Sequence, residues 1–337
     1  MIKITNIKKN IKNKAKDVEN QLEQYFNDMA QNIEPRNLYD PVNYIMKQGG
    51  KRIRPQLVLL AAELFGAKIE DAFYPATAYE MLHNFTLIHD DIMDNAPIRR
   101  GKETIFKKWN SNIAILSGDV LASLAMLQLY KTPCSPEIIL EMSELFVQTS
   151  VQVCEGQQYD LDFEKQAEVS IEEYLSMIHL KTAVMLAGCL KTGAILGNAS
   201  KQSQEALYKF GIHLGMAFQL VDDMLDVYAD PETFGKEIGG DIQENKKTYL
   251  YLFALHNANE VQKMQLQHYF SSNHYSKKEK FDAVKTIFDA LQCKEEIEKK
   301  VDEYLKMAYK NVEELSLENE QKEVLRQLAL KLSKRSK

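Results

Sequence analysis

The sequence predicts an all-α protein, and three observations carry that prediction. Apolar residues recur at helical spacing over most of the chain, period-two alternation is nearly absent, and only 14 glycines and 8 prolines interrupt 337 residues. Hydrophobic residues make up 45% of the chain, ample for a large core. No Pro/Gly/Ser-rich linker divides it, so a single helical domain is expected.

The elements follow in order. The first sixteen residues carry six lysines, no arginine and no acid, and lack an apolar core. Residues 1–17 therefore read as a basic arm rather than a signal peptide, and 18–337 as the domain. Leu82, Phe85, Thr86, Leu87, Ile88, Ile92 and Met93 form a run that a helix would bury on most sides. Residues 113–130, IAILSGDVLASLAMLQLY, are apolar almost all round, as for a helix in a large core or at a subunit interface. Ser170 and Glu173 make a capping box that opens the helix IEEYLSMIHLKTAVMLAGCLKTGAILG. Another long helix runs from about Gln202 to Val227, and the stretch after Ser276 reads as amphipathic helices.

A net charge of −6 gives no footing for nucleic acid. Cys134, Cys154, Cys189 and Cys293 form no CxxC pair, which points to reduced thiols packed mostly in the helices of a cytoplasmic protein. The most apolar stretch, AVMLAGCLKTGAILG, is broken by Lys191, so no membrane span is expected.

The chemistry lies in two acidic clusters. Residues 87–104 read LIHDDIMDNAPIRRGKET, with Asp90, Asp91 and Asp94 in five residues. On a helix Asp90 and Asp94 are i and i+4 and share a face, with Asp91 about a quarter-turn away. Stacked carboxylates repel unless a cation bridges them, and a hard ion such as Mg2+ takes such oxygens together with phosphates. Residues 215–230, GMAFQLVDDMLDVYAD, repeat the spacing with Asp222, Asp223 and Asp226. One such motif is ordinarily solvated surface; two on buried helices are harder to read that way. Positive charge accompanies them: Lys51, Arg52 and Arg54 after a glycine pair, Arg99 and Arg100, Lys181-Thr182 inside an apolar helix, and Lys236 and Lys246 in GKEIGGDIQENKKT. Singly each is a solvated cation; together they suffice for two polyanionic groups. The pattern GxxxxGK[ST] is absent, which disfavours P-loop nucleotide hydrolysis.

GGKRIRP, LIHDDIMDNAPIRRG, FQLVDDMLDV and GKEIGGD, in this order, resemble the trans-isoprenyl diphosphate synthases over roughly residues 18–330. The resemblance implies a barrel of long helices around a central catalytic cavity, usually as a homodimer. It implies Mg2+-dependent, head-to-tail joining of isopentenyl diphosphate to an allylic diphosphate (dimethylallyl, geranyl or farnesyl). Asp90 and Asp94 would bind two Mg2+ ions and Asp222 a third, with Asp226 and Asp241 acting through water; Asp91 and Asp223 complete the motifs. Arg99, Lys181, Lys236 and Lys246 would hold the allylic diphosphate, and Lys51, Arg54, His83 and Arg100 the isopentenyl diphosphate. Phe218, Gln219 and Thr182 would face the developing carbocation. Gln157 and Asp160 also match the family pattern, and Arg335 and Lys337 lie in a tail that closes over the site in some members.

Taken without the resemblance, His83 reads as a satisfied core histidine. Phe85, five residues before Asp90, and Thr86 correspond to the family's chain-length positions and imply geranylgeranyl diphosphate as product. Farnesyl and longer products remain alternatives, and Phe85 is equally an ordinary core aromatic. Terpene cyclases share one DDxxD, but their second site mixes Asn, Ser or Thr with Glu. A non-catalytic partner subunit would have lost its acidic motifs, and a di-iron bundle would need Glu-x-x-His pairs.

Overall fold

The structure, a computed structural model, describes residues 20, 23–25, 27, 33–230, 238–271 and 274–333. The basic arm at 1–17 lies outside the described residues. Internal contacts form two units, Met1–Gln148 with Gly188–Glu205, and Thr149–Ala187 with Ala206–Lys337.

Into the first unit fall α1 (Arg36–Met46), α2 (Ile53–Leu64), α3 (Ile69–Met93), the strands β1 (Ile98–Arg99) and β2 (Lys102–Glu103), α4 (Ile105–Lys108) and α5 (Ser111–Leu129). The long α3 packs against both α2 and α5, which explains its near-continuous apolar surface. Tyr79, Met81, Leu82 and Ile88 of α3 are fully buried. The Tyr79 ring meets Phe146 edge-on at 5.0 Å, and its hydroxyl lies 3.0 Å from Thr192 Oγ1. The acidic motif ends α3, with Asp94 as the residue that caps it.

The β1–β2 hairpin, two residues in each strand, is too short to change the all-α class. Two-residue strands leave no alternation to detect; the turn between them, Arg100-Gly101, has φ of 53° and 74°, the left-handed pair that tight hairpins require.

Helix α5 starts at Asn110, whose side chain accepts the Ile113 amide at 2.9 Å. By length and composition it is apolar enough to cross a membrane, with only 39% of it buried. Among the described residues α5, and not the stretch at 183–197, is the segment both long and apolar enough for a span. No lysine interrupts α5, and exposed Ile115, Leu116, Leu127 and Tyr130 leave an apolar face uncovered.

The helices α6 (Pro136–Lys165), α8 (Val184–Leu196) and α9 (Lys201–Tyr228) contribute residues to both units. The second unit otherwise holds α7 (Ile171–Ile178), a π-helical turn (His179–Ala183), α10 (Gly240–Gln243), α11 (Tyr249–Asn257), α12 (Glu260–Ser271), α13 (Lys277–Ala290), α14 (Cys293–Glu313) and α15 (Asn319–Ser333). The capping box is present: Ser170 Oγ accepts the Glu173 amide at 3.1 Å, and the Glu173 carboxylate accepts the Ser170 amide at 2.7 Å. The helix it opens does not run on regularly, because the π-helical turn widens it at Lys181 and Thr182. Gly156 of α6 admits that turn, since an added Cβ would lie 2.3 Å from the Lys181 amide nitrogen.

All four cysteines are free thiols. Cys189 and Cys293 are buried in helices as expected, whereas Cys154 is exposed on α6 and Cys134 sits in a bend before it.

Candidate active site

In the first unit the three acids of DDIMD divide by direction. Asp91 is 1% exposed and accepts a bond from Arg99 Nε at 2.6 Å. Burial raises its pKa, against the opposing charge of Arg99. Its other oxygen, Oδ2, is buried without a hydrogen-bond partner. Asp90 is partly exposed and Asp94 exposed.

A cluster of arginines lies beside this motif. His83, on the same helix, is held well below the ordinary histidine range by burial and then by Arg54, Arg100, Arg99 and Arg52. Burial, helped by four nearby guanidinium groups, keeps the imidazole neutral, and those groups make a ready anion site. Arg52 anchors the GGKRIRP segment: its backbone is left-handed (φ 46°), and its buried side chain pairs with buried Glu80 and donates to the Met46 carbonyl. Asn84 Nδ2 adds a bond to Glu80 Oε1 at 3.2 Å. Arg100 donates to the Gly49 carbonyl, fixing the glycine pair before exposed Lys51. Phe85 is half-buried and Thr86 turns back to bond the His83 carbonyl at 2.8 Å.

In the second unit the other motif divides the same way. Asp223 is 3% exposed and accepts from the Tyr174 hydroxyl and from Gln219 Nε2, the latter at 3.0 Å. Thr182 Oγ1 in turn donates to Gln219 Oε1 at 3.0 Å. A chain of bonds therefore orients Thr182, Gln219 and Asp223 together. Asp222 and Asp226 stay partly exposed. Asp226 accepts the backbone amides of Gly240 and Asp241 at 3.2 and 3.1 Å, tying α10 to the end of α9.

A cavity of about 110 Å³ opens here, lined among others by Asp160, Lys181, Gln219, Asp223, Asp241 and Lys246. Lys181 Nζ is 2.5 Å from Asp160 Oδ2, which answers why a lysine stands in an apolar helix. Burial works against the charge on Lys246, but Glu244, 2.9 Å away, and then Asp241 raise its pKa overall. Phe218 precedes Gln219 on α9 and is half-buried. Lys236, Arg335 and Lys337 lie outside the described residues.

Residues 35–291 match the family described as polyprenyl synthetase. The chain belongs to the polyprenyl synthetase family. It is thus a prenyltransferase of the trans-isoprenyl diphosphate synthase class, as its motifs implied. Geranylgeranyl diphosphate synthase of Methanosarcina mazei is 43% identical over 220 residues, 65% of this chain and 68% of that protein. Geranylgeranyl pyrophosphate synthase of Geoglobus acetivorans is 35% identical over 303 residues, 90% of this chain and 91% of that protein. A crystal structure of a geranylgeranyl pyrophosphate synthase superposes with a TM-score of 0.89 at 42% identity, covering 96% of this chain and 99% of that one. The polyprenyl synthetase shares with it the all-α isoprenoid synthase fold.

The acids of the second motif suit a cation. Burial, then the charges of Asp226 and Asp223, push Asp241 up to about 8; burial pushes Asp223 up to about 7. Oxygen donors crowded toward neutrality are what a hard divalent ion relieves. Among the described residues no three acidic, histidine or cysteine side chains converge as a complete metal site.

Tyr174 and Glu80 went unread in the sequence, and Arg52, counted there among the cations, had no visible partner. Tyr174 lies seven residues before Lys181, and nothing in its neighbours signals a partner at Asp223; Glu80 reads as one more charge on a helix. Gln157 is buried with both amide atoms lacking a hydrogen-bond partner.

Proposed function

We propose that the protein joins isopentenyl diphosphate head-to-tail to an allylic diphosphate and forms geranylgeranyl diphosphate, as a Mg2+-dependent homodimer in the cytoplasm. One observation carries the reading. In each acidic motif the central aspartate is turned inward and held by a protein donor, Arg99 for Asp91 and Tyr174 for Asp223, while the outer pair reaches solvent.

In the first unit Asp90 and Asp94 would hold two ions, and in the second Asp222 and Asp226 a third. Bound by these carboxylates, Mg2+ would supply positive charge that stabilises the departing diphosphate. Arg99, Lys181, Lys236 and Lys246 donate to the allylic diphosphate. Lys51, Arg54, Arg100 and neutral His83 hold the isopentenyl diphosphate, where arginines grip phosphate oxygens in pairs. The allylic carbon–oxygen bond breaks with its electrons leaving on diphosphate. The isopentenyl double bond attacks the allylic carbon, and the released diphosphate takes the proton whose loss restores an alkene. Gln219, oriented by Thr182 and Asp223, offers its carbonyl oxygen to the positive centre, with Phe218 beside it.

Phe85 acts as the floor that stops the product at twenty carbons. The relatives named as geranylgeranyl synthases support that length. The exposed apolar residues of α5 support self-association, since such a patch on a monomer marks an interface. Four free thiols support a reducing compartment.

The test is product analysis with purified protein, Mg2+, labelled isopentenyl diphosphate and farnesyl diphosphate. A twenty-carbon diphosphate with little beyond it is expected. Longer chains would keep the reaction and remove the floor; no incorporation with any primer would remove the reaction.

A further inference from the structure

We infer that His89 is a positioning residue for product length: it braces Phe85 against α5, and Gly118 makes room for it. The inference rests on the reading of Phe85 as the floor.

His89 follows Phe85 by one helical turn on α3, so the two side chains meet on one face. Their rings touch edge to face, 4.9 Å between centroids at 71°. Behind the imidazole stands α5. His89 Nε2 lies 3.2 Å from the Ile115 carbonyl, which only accepts, so Nε2 carries the hydrogen. Asp119 Oδ1 is 3.8 Å from the same nitrogen and favours that tautomer. The ring is therefore oriented from α5 as well as seated against it.

Gly118 completes the seat. A Cβ at this position would lie 2.3 Å from His89 Nε2 and 2.6 Å from Cδ2, so no other residue fits while the ring stays. Glycine in a helix interior is unfavourable relative to alanine. Here the helix trades that preference for the space the imidazole fills. With α5 backbone behind it the ring has no retreat, and Phe85 leans on a fixed surface. A bare Phe85 would swing between rotamers when a growing chain pressed on it; a braced one stops the chain at a defined depth. Removing the imidazole takes away the ring that Phe85 leans on, so Phe85 turns into the vacated space and the floor no longer holds its depth. Adding a methyl group at 118 drives the imidazole toward Phe85 and raises the floor.

The experiment measures the ratio of products longer than twenty carbons to the twenty-carbon product, with farnesyl diphosphate as primer. This ratio is independent of how much total activity a variant keeps. His89→Ala is expected to raise it at least tenfold, and His89→Gln, whose amide can still donate to Ile115, to return it near the starting value. Gly118→Ala is expected to shift product toward shorter chains. Phe85→Ala is the control. If Phe85→Ala lengthens the product and His89→Ala does not, the brace is overturned while the floor stands. If Phe85→Ala leaves the length unchanged, the floor itself fails and the brace with it. Should Gly118→Ala fail to fold, the two His89 variants still decide.

Discussion

Arg99 Nε sits 2.6 Å from Asp91 Oδ1, and the Asp91 side chain is 2% exposed against 27% for Arg99. The pair ties the first acidic motif to the hairpin that follows it. Asp91→Ala leaves the guanidinium facing a protein interior without its partner. A loss of about 3 kcal/mol in urea unfolding is expected, at the lower end for a broken buried pair because Arg99 keeps some water. Asp91→Asn retains an acceptor and should lose less. A cost below about 1 kcal/mol for the alanine variant would mean that the pair holds nothing in place.

The outer acids behave differently. Asp90→Ala and Asp222→Ala are expected to lower turnover by several orders of magnitude, each order corresponding to about 1.4 kcal/mol of barrier, with unfolding midpoints close to the parent. Chelation of divalent ions should mimic both variants, and added Mg2+ should restore only the parent. Near-normal rates in either variant, or in chelator, would remove the cation reading.

Tyr174→Phe deletes the hydroxyl that Asp223 accepts while keeping the ring. An unpaired buried acceptor costs roughly 1–3 kcal/mol. Gln219 shares Asp223, so its amide loses a fixed anchor as well. Slower turnover with little change in substrate KM is expected in steady-state kinetics. A change confined to KM for isopentenyl diphosphate would place Tyr174 elsewhere in the mechanism.

His83 gives a pH dependence with a definite sign. Burial and the arginines lower its folded-state pKa well below 6.5, so the unfolded chain takes up the proton first as pH falls. Stability supported by neutral His83 is whole above about pH 6.5 and declines below it, by at most about 1.4 kcal/mol per pH unit for one proton. His83→Gln should flatten the slope of unfolding free energy between pH 6.5 and 5. Inorganic pyrophosphate bound among the arginines should flatten it too, by offsetting their charge. An unchanged slope in both experiments would mean that His83 does not sense these groups.

On α5, Leu116 and Leu127 are each 57% exposed. Leu116→Glu combined with Leu127→Glu is expected to convert a dimer to a monomer by sedimentation, without loss of helical content. A dimer that survives both charges would place the interface elsewhere.

Much of this was legible because the signals were local. The capping box at Ser170, the spacing of both acidic motifs and the span of α9 depend on residues within a few turns of one another. The hairpin at 98–103 escaped because two-residue strands carry no period. The division of labour within each DDxxD escaped for another reason. Spacing puts Asp91 a quarter-turn from Asp90, but only the fold brings Arg99 back to it and Tyr174 to Asp223. The same holds for Arg52, whose importance depends on Glu80 waiting 28 residues away. Its own neighbours give no hint of a buried partner.

The π-helical turn at His179–Ala183 bears on what the gene can tolerate. One residue more than a regular turn is accommodated there, and an α-helix advances about 100° per residue. A single-codon deletion within those five residues would close the turn into ordinary helix and rotate Thr182 by about that angle relative to Tyr174. Tyr174, Thr182, Gln219 and Asp223 could all be retained, as after loss of Leu180, and their chain of bonds would still come apart. In this short stretch the number of residues matters as much as their identity.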